Sequence, residues 1–431
     1  MLIGFLAGAA FNITDTYFVS RLGTIPLAAM GYTFPVVTLI HGLVMGIGMG
    51  AASLLSRTIG AGDHAGARRI TMHALALGLV LTVLFIVAGY ASMRPVLRAM
   101  GATEELLPLV VEYMEIWFGG MIFLVVPMIG NSAIRSTGDT LSPSLIMAGD
   151  LLLNVALDPI FIFGWGPVPA MGIRGAAIAT VLARSFALIA SLYVLGNRKE
   201  LLRFRSGPDG PAYAGILRSW TRISYVGLPA AATNMLGPVA LGIVMSIISD
   251  FGPASVAAMT AGMRFEHVAV IPLFALGSSL VPFVGQNWGA GDHGRARRAY
   301  VISIRFALAW GAFCLLVLPL TAGELAPLFS DDPAVLPWLA MYLALMPVAF
   351  GFRGVMMCAA QTMNAINRPF DASANTLLRL FVLQWPLAYL GAQWFGFPGV
   401  LVGIASADIL AAALAMLWAN RLLVPPKFQS D

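Results

Sequence analysis

Charged side chains are scarce in this chain. Of 431 residues, 10% are Asp, Glu, Lys or Arg and 59% are hydrophobic, whereas a soluble domain has about 25% and 45–50%. So little charge excludes an ordinary soluble globule. The net charge of +5 does not point to nucleic acid, because the Lys and Arg residues fall in short loops between apolar runs. Cysteine is almost absent: Cys314 and Cys358 each lie inside an apolar run, which leaves no disulfide framework and no thiol-based metal centre. The five histidines show no ligand spacing. No GxSxG nucleophile motif occurs, and the glycine-rich GAGD segments lack the preceding strand and following GK[ST] of a phosphate loop. Neither enzyme chemistry nor ATP hydrolysis is indicated, and no cofactor is expected. Met1 leads into an apolar stretch with no basic segment or cleavage site, so this stretch reads as a retained span.

What the chain has instead is apolar runs of about 20–30 residues, the length a helix needs to cross a bilayer. Twelve spans are expected, at roughly 1–19, 27–56, 69–92, 107–133, 142–164, 172–196, 222–249, 255–285, 298–322, 334–360, 372–396 and 398–420. The fold class is therefore an all-α integral membrane protein. With the N-terminus inside, sixteen Lys and Arg residues fall in inner segments, Arg203, Arg205 and Lys427 among them. Four fall outside: Arg21, Arg94, Arg98 and Arg174. The positive-inside rule then places both termini in the cytoplasm, and the inner (plasma) membrane is the expected location.

An internal repeat divides the chain. GAGDHAGARR at 60–69 recurs as GAGDHGRARR at 289–298, an offset of 229, and the same offset aligns 19–30 with 248–259. Six spans separate equivalent positions, so the two six-helix bundles form a parallel repeat, an arrangement found in secondary transporters. The expected division is an N-terminal lobe at 1–197, a linker at 198–221 containing GPDGP, and a C-terminal lobe at 222–431. Pro229, in the seventh span, maps to position zero, so the first span begins later than its partner.

Against this apolar background a few polar residues stand out. Asp15 lies in FNITDTYF, and a charge at membrane depth costs from about 2.5 to more than 10 kcal/mol, so such residues are kept mainly for ion or substrate work. Asn12 and Asp15 are three apart, and Asn154 and Asp158 four apart, so each pair is expected to share a helical face. Pro159 leaves the carbonyl of Val155 without its helical donor, and Thr180 adds a hydroxyl. At the offset of 229 the acids align with Val244 and Leu387, and Asn154 with Leu383, so the cluster belongs to one half only. Two carboxylates in such a place suit either a proton or a hard cation such as sodium held by Asp15, Asn154 and Asp158. The competing readings are that Asp15 meets the headgroups and that Asp158-Pro159 ends a helix.

Further candidates are Glu266 and Arg264, a possible second ion site whose members should have separate partners. Asp408 and Asp371 read as near-interface or packing-partnered rather than catalytic. Tyr17, Phe34, Trp117, Phe161 and Trp165, with Asn12, form a possible substrate lining, since flat aromatic faces suit lipophilic and cationic molecules.

Asp15 followed by FVSRLG, the doubled GAGD turn, IRSTGDTLSP at 134–143, NVALDPIFIFG at 154–164 and MGIRGAAIAT at 171–180 together resemble the multidrug and toxic compound extrusion (MATE) family over essentially the whole chain. The resemblance implies a V-shaped, monomeric transporter of twelve helices that exports organic, often cationic, drugs in exchange for protons or sodium. It also implies that Asp15, Asn154, Asp158 and Thr180 form a cation site and that Glu266 matches an acid used in the other lobe of some members. Members commonly carry a proline about fifteen residues before the first acid; here that position precedes Met1. A flippase for lipid-linked precursors is the alternative within the superfamily, and a membrane-embedded enzyme or redox-complex subunit the alternative outside it.

Overall fold

The computed structural model describes residues 1–202, 213–330 and 332–424, which leaves Arg203, Arg205 and Lys427 outside the described residues. The chain divides into two units, Met1–Ala231 and Ala232–Asp431. The division falls inside a helix rather than in the hydrophilic segment before it.

The first unit contains α1 (Leu2–Ser20), α2 (Thr24–Gly60), α3 (His64–Ala99), α4 (Leu107–Gly119), α5 (Ile122–Ser136), α6 (Leu141–Phe163), α7 (Ile173–Tyr193) and the start of α8 (Ile216–Ser249). The second continues α8 and adds α9 (Pro253–Ala269), α10 (Ile271–Gly289), α11 (His293–Leu325), α12 (Leu336–Leu345), α13 (Pro347–Ala365), α14 (Pro369–Leu377) and α15 (Trp385–Leu423). No strand interrupts them among the described residues.

These elements resolve into twelve crossings. Eight helices are long and apolar enough to span a membrane, and α4–α5, α9–α10 and α12–α13 each make one further span bent by 49°. The bends have sequence causes: Gly120 separates the first pair, and Pro272 and Pro347, which lack the amide a continuing helix needs, open α10 and α13. The twelfth crossing comes from α15. At Gly396 the backbone turns to φ 66° and ψ −147°, a conformation that favours glycine, and Gly391 then lies against the backbone of Gly399 and Gly403 against that of Leu387. The chain has folded back on itself, so 369–423 crosses twice.

The repeat is visible in detail. Each GAGD turn holds a glycine at positive φ, Gly62 at 76° and Gly291 at 79°. Each then caps the next helix with an aspartate: Asp63 accepts from the Gly66 amide at 2.7 Å and Asp292 from that of Arg295 at 2.9 Å. A side-chain oxygen that takes an otherwise unpaired first-turn N–H stabilises a helix by about 1 kcal/mol, so these are structural turns. The ring of His293 lies tilted against Trp288, with centroids 4.2 Å apart. Cys314 and Cys358 are buried free thiols in the second unit.

Candidate functional site

Within the first unit α6 packs against both α1 and α7. Helical periodicity puts Asp150, Asn154 and Asp158 on successive turns of one buried face of α6. Pro159 lies within α6, which runs on to Phe163, so Asp158-Pro159 does not end the helix. On α1 the buried stripe is Gly4, Ala7, Phe11, Asp15 and Val19. Asp15 is thus buried, at 6% exposure, and does not sit among headgroups.

Asn12 does not share that face. It is exposed, and its amide donates to the Gly8 carbonyl at 3.2 Å. A step of four along a helix rotates by about 40° and a step of three by about 60° the other way, and the buried stripe of α1 follows the former. The residue beneath Asp15 is therefore Phe11.

The structure brings Asp15, Asn154, Asp158 and Thr180 together in the interior of this unit. The Asn154 amide donates to Asp158 Oδ1 at 3.1 Å, and the two carboxylates interact electrostatically. The Tyr113 phenol, from α4, interacts with both acids and with Thr180. Asp15 Oδ1, Asn154 Oδ1 and Asp158 Oδ2 are buried without a hydrogen-bond partner, and the Thr180 hydroxyl has the Tyr113 phenol beside it. Each uncompensated buried acceptor costs about 1–3 kcal/mol, more when charged, and a proton or a cation at these oxygens would offset that cost. Carboxylate, amide and hydroxyl oxygens are also the donor set of a hard ion, so the residues present fit sodium as well as protons.

Two residues that sequence reasoning did not bring into the site complete it. Asp150, one turn before Asn154, accepts a bond from Arg184 Nη1 at 2.5 Å. Arg184, one turn after Thr180, also interacts electrostatically with Asp15 and with His41 of α2, and its guanidinium lies 4.4 Å from the centre of the Phe11 ring. The polar stripe 150, 154, 158 at intervals of four was the signal for Asp150. Arg184 is thus bound by Asp150 and also meets the charge of Asp15, whereas Asp158 has Asn154 and Asp15 as its neighbours.

The aromatic candidates do not converge on these acids. Tyr17 is exposed and accepts from Arg21 at 2.8 Å, Phe34 and Trp165 are exposed, Phe161 is partly buried, and Trp117 packs edge-on to Phe118 in the core. Glu112 and Glu115 are exposed.

The second unit holds a different polar centre. Glu266 pairs with Arg353 through Oε1 and accepts from the Tyr342 hydroxyl through Oε2 at 2.5 Å. Arg353 and Arg379 each donate to one oxygen of the fully buried Asp408, both at 2.5 Å. A π-helical turn at Leu378–Gln384 carries Arg379. Arg264 is exposed and takes no part, so Glu266 has a partner of its own, Arg353, as expected for residues two apart, and Arg264 lies outside this centre. Two acids and two arginines cancel, and all four carboxylate oxygens are engaged.

Comparison with known proteins places this architecture. The sequence model of the MatE family matches residues 1–160 and 229–390. Over 426 residues the chain is 37% identical to the FAD transporter of Shewanella oneidensis, covering 99% of this chain and 93% of that protein. It is 24% identical over 420 residues to the probable multidrug resistance protein YpnP of Bacillus subtilis, covering 97% and 92%. The Vibrio cholerae MATE transporter VcmN in its bent form matches with a TM-score of 0.93 at 29% identity, covering 98% of this chain and 94% of that one. Fold, motifs and relatives agree: the chain belongs to the MatE family of multi-pass membrane transporters and is not an enzyme.

Proposed function

We propose that this chain is a cation-coupled antiporter that exports organic molecules across the plasma membrane, with Asp15, Asn154, Asp158 and Thr180 as the site of the coupling proton or sodium ion. The observation that carries the reading is the set of buried, unpartnered oxygens on Asp15 of α1 and on Asn154 and Asp158 of α6, beside Thr180 of α7. Protons or a cation bound there supply the missing partners and remove excess charge. Release to the other side of the membrane restores it, and the free-energy difference drives exchange with substrate. Linkage requires that ion and substrate change one another's binding by the same factor. The excess of Lys and Arg in inner segments supports cytoplasmic termini.

The export of lipophilic organic cations fits the acidic site and the relatives named for multidrug resistance. A second reading of the substrate is flavin dinucleotide, favoured by the 37% identity over nearly the whole chain to a protein named as an FAD transporter, against 24% for those named for multidrug resistance. Proteoliposomes loaded with either ethidium or FAD and given an imposed proton or sodium gradient test both points. Gradient-driven transport that disappears in Asp15→Asn and Asp158→Asn is expected. Transport that persists in both variants would reject the site, and the probe that moves identifies the substrate class.

A further inference from the structure

The Asp150–Arg184 pair is not among the four residues assigned to the coupling ion, yet it adjoins them. Asp150 is one turn from Asn154 on the same face of α6, and Arg184 is one turn from Thr180 on α7. Arg184 is anchored at Asp150 by a charge-assisted bond of 2.5 Å and sits against Phe11, one turn from Asp15. The charged and titratable groups that face it are Asp15 from α1, His41 from α2, Tyr113 from α4 and Asp150 from α6, with Asp158 beyond Tyr113. A fixed positive charge near a cation site repels whatever cation enters. Asp150 both offsets that charge and holds it off Asp15.

We propose that Arg184 is the internal counter-charge of the coupling site: tethered by Asp150, it sets how tightly Asp15 and Asp158 hold the coupling cation. The inference rests on the proposed coupling at those two acids. An antiporter must release its ion as well as bind it, and a cage with two excess negative charges in a low-dielectric interior would hold a cation too long. Arg184 lowers the affinity into a range that allows turnover, and Asp150 limits how far it is lowered. Neither residue needs to touch the ion.

The pair makes predictions of opposite sign. Arg184→Gln removes the repelling charge, so the proton or sodium concentration giving half-maximal transport should fall by on the order of tenfold, with slower turnover because release is hindered. Asp150→Asn removes a negative charge and frees the guanidinium for Asp15, so the same concentration should rise by a similar factor. The double variant should fall between the two single variants, and Arg184→Lys, which keeps the charge, should stay within about threefold of wild type. The measurement is gradient-driven transport of ethidium and of FAD in proteoliposomes, as a pH series and as a sodium series, on variants that are monodisperse and melt as wild type does. Should Arg184→Gln fail to fold, Asp150→Asn and Arg184→Lys still give opposite expectations, one shifted and one not. Shifts of the same sign in both single variants would overturn the proposal. So would unshifted half-saturation while Asp15→Asn and Asp158→Asn abolish coupling, a result that leaves the coupling site standing and reduces Arg184 to packing. Wild-type transport independent of both cations would overturn the coupling site and this inference together.

Discussion

Tyr113 and Tyr342 are repeat partners, 229 residues apart, and each places its phenol at the acid cluster of its own half. Tyr342 donates to Glu266 inside a closed ion-pair network, whereas Tyr113 adjoins two carboxylates with unpartnered oxygens. The same position of the repeat thus meets a closed network in one half and the proposed ion site in the other.

The two tyrosines should therefore respond differently to loss of the hydroxyl. Tyr342→Phe removes a hydrogen bond to a charged acceptor, worth about 1.5–3 kcal/mol, and should lower the melting temperature of the purified protein. Tyr113→Phe should leave melting nearly unchanged and alter the cation dependence of transport.

The acids separate in the same way. Asp408→Asn takes the charged partner from Arg379 and one of two from Arg353, both partly buried, and breaking a buried pair costs up to about 3–5 kcal/mol. The expected result is a large loss of thermal stability, with cation dependence retained in whatever protein survives. Asp15→Asn relieves an uncompensated buried charge, so stability should hold or rise while gradient-driven transport is lost. Thermal melts and transport assays on the same preparations decide this, and equal loss of both properties in both variants would contradict it.

Outside the membrane, Asp139 joins the turn before α6 to the end of α7. It bonds Lys199 at 2.9 Å and accepts from the Leu141 and Ser142 amides and the Ser142 hydroxyl. Partial burial pushes its carboxyl up, but the bonds from Lys199 and Ser142 outweigh that and hold it at about 2, below its ordinary 3.8. A carboxylate with a depressed folded-state value stabilises fully above its unfolded value, and the contribution fades as pH falls through the folded one. Wild type should thus lose stability between about pH 4 and pH 2, and Asp139→Asn should melt lower at neutral pH with a flatter profile across that window.

The final turn-back depends on Gly391 and Gly399, whose backbones touch. Gly399→Leu has no room for a side chain there and should prevent the last two crossings from pairing, read as loss of monodisperse protein on size-exclusion chromatography. Gly323→Ala, at a helical glycine with open space around it, is the matched control and should behave as wild type.

The twelve crossings were legible because apolar length is a direct physical requirement of the bilayer, and the repeat because GAGD carries its geometry in its residues. Asp15, Asn154, Asp158 and Thr180 stood out as candidates because polar groups in apolar runs are costly, and the structure places them near one another. What the sequence could not show was pairing between helices. Arg184, Arg353 and Arg379 are plainly inside spans, but nothing local tells that the first meets Asp150 and the others share Asp408. The placement of Asn12 with Asp15 failed because three and four residues along a helix both count as neighbours until burial selects one.

The closed network of Glu266, Arg353, Asp408 and Arg379 also bears on voltage. A set of groups with no net charge can be carried along the membrane field as a rigid unit without the membrane potential doing net work on it. The cluster of Asp15, Asp150, Asp158 and Arg184 has no such cancellation, and each elementary charge it carries across the full field is worth about 2.3 kcal/mol per 100 mV. On the proposed coupling, it is the centre in the first half that would make transport electrogenic or neutral, according to how many cations ride with it.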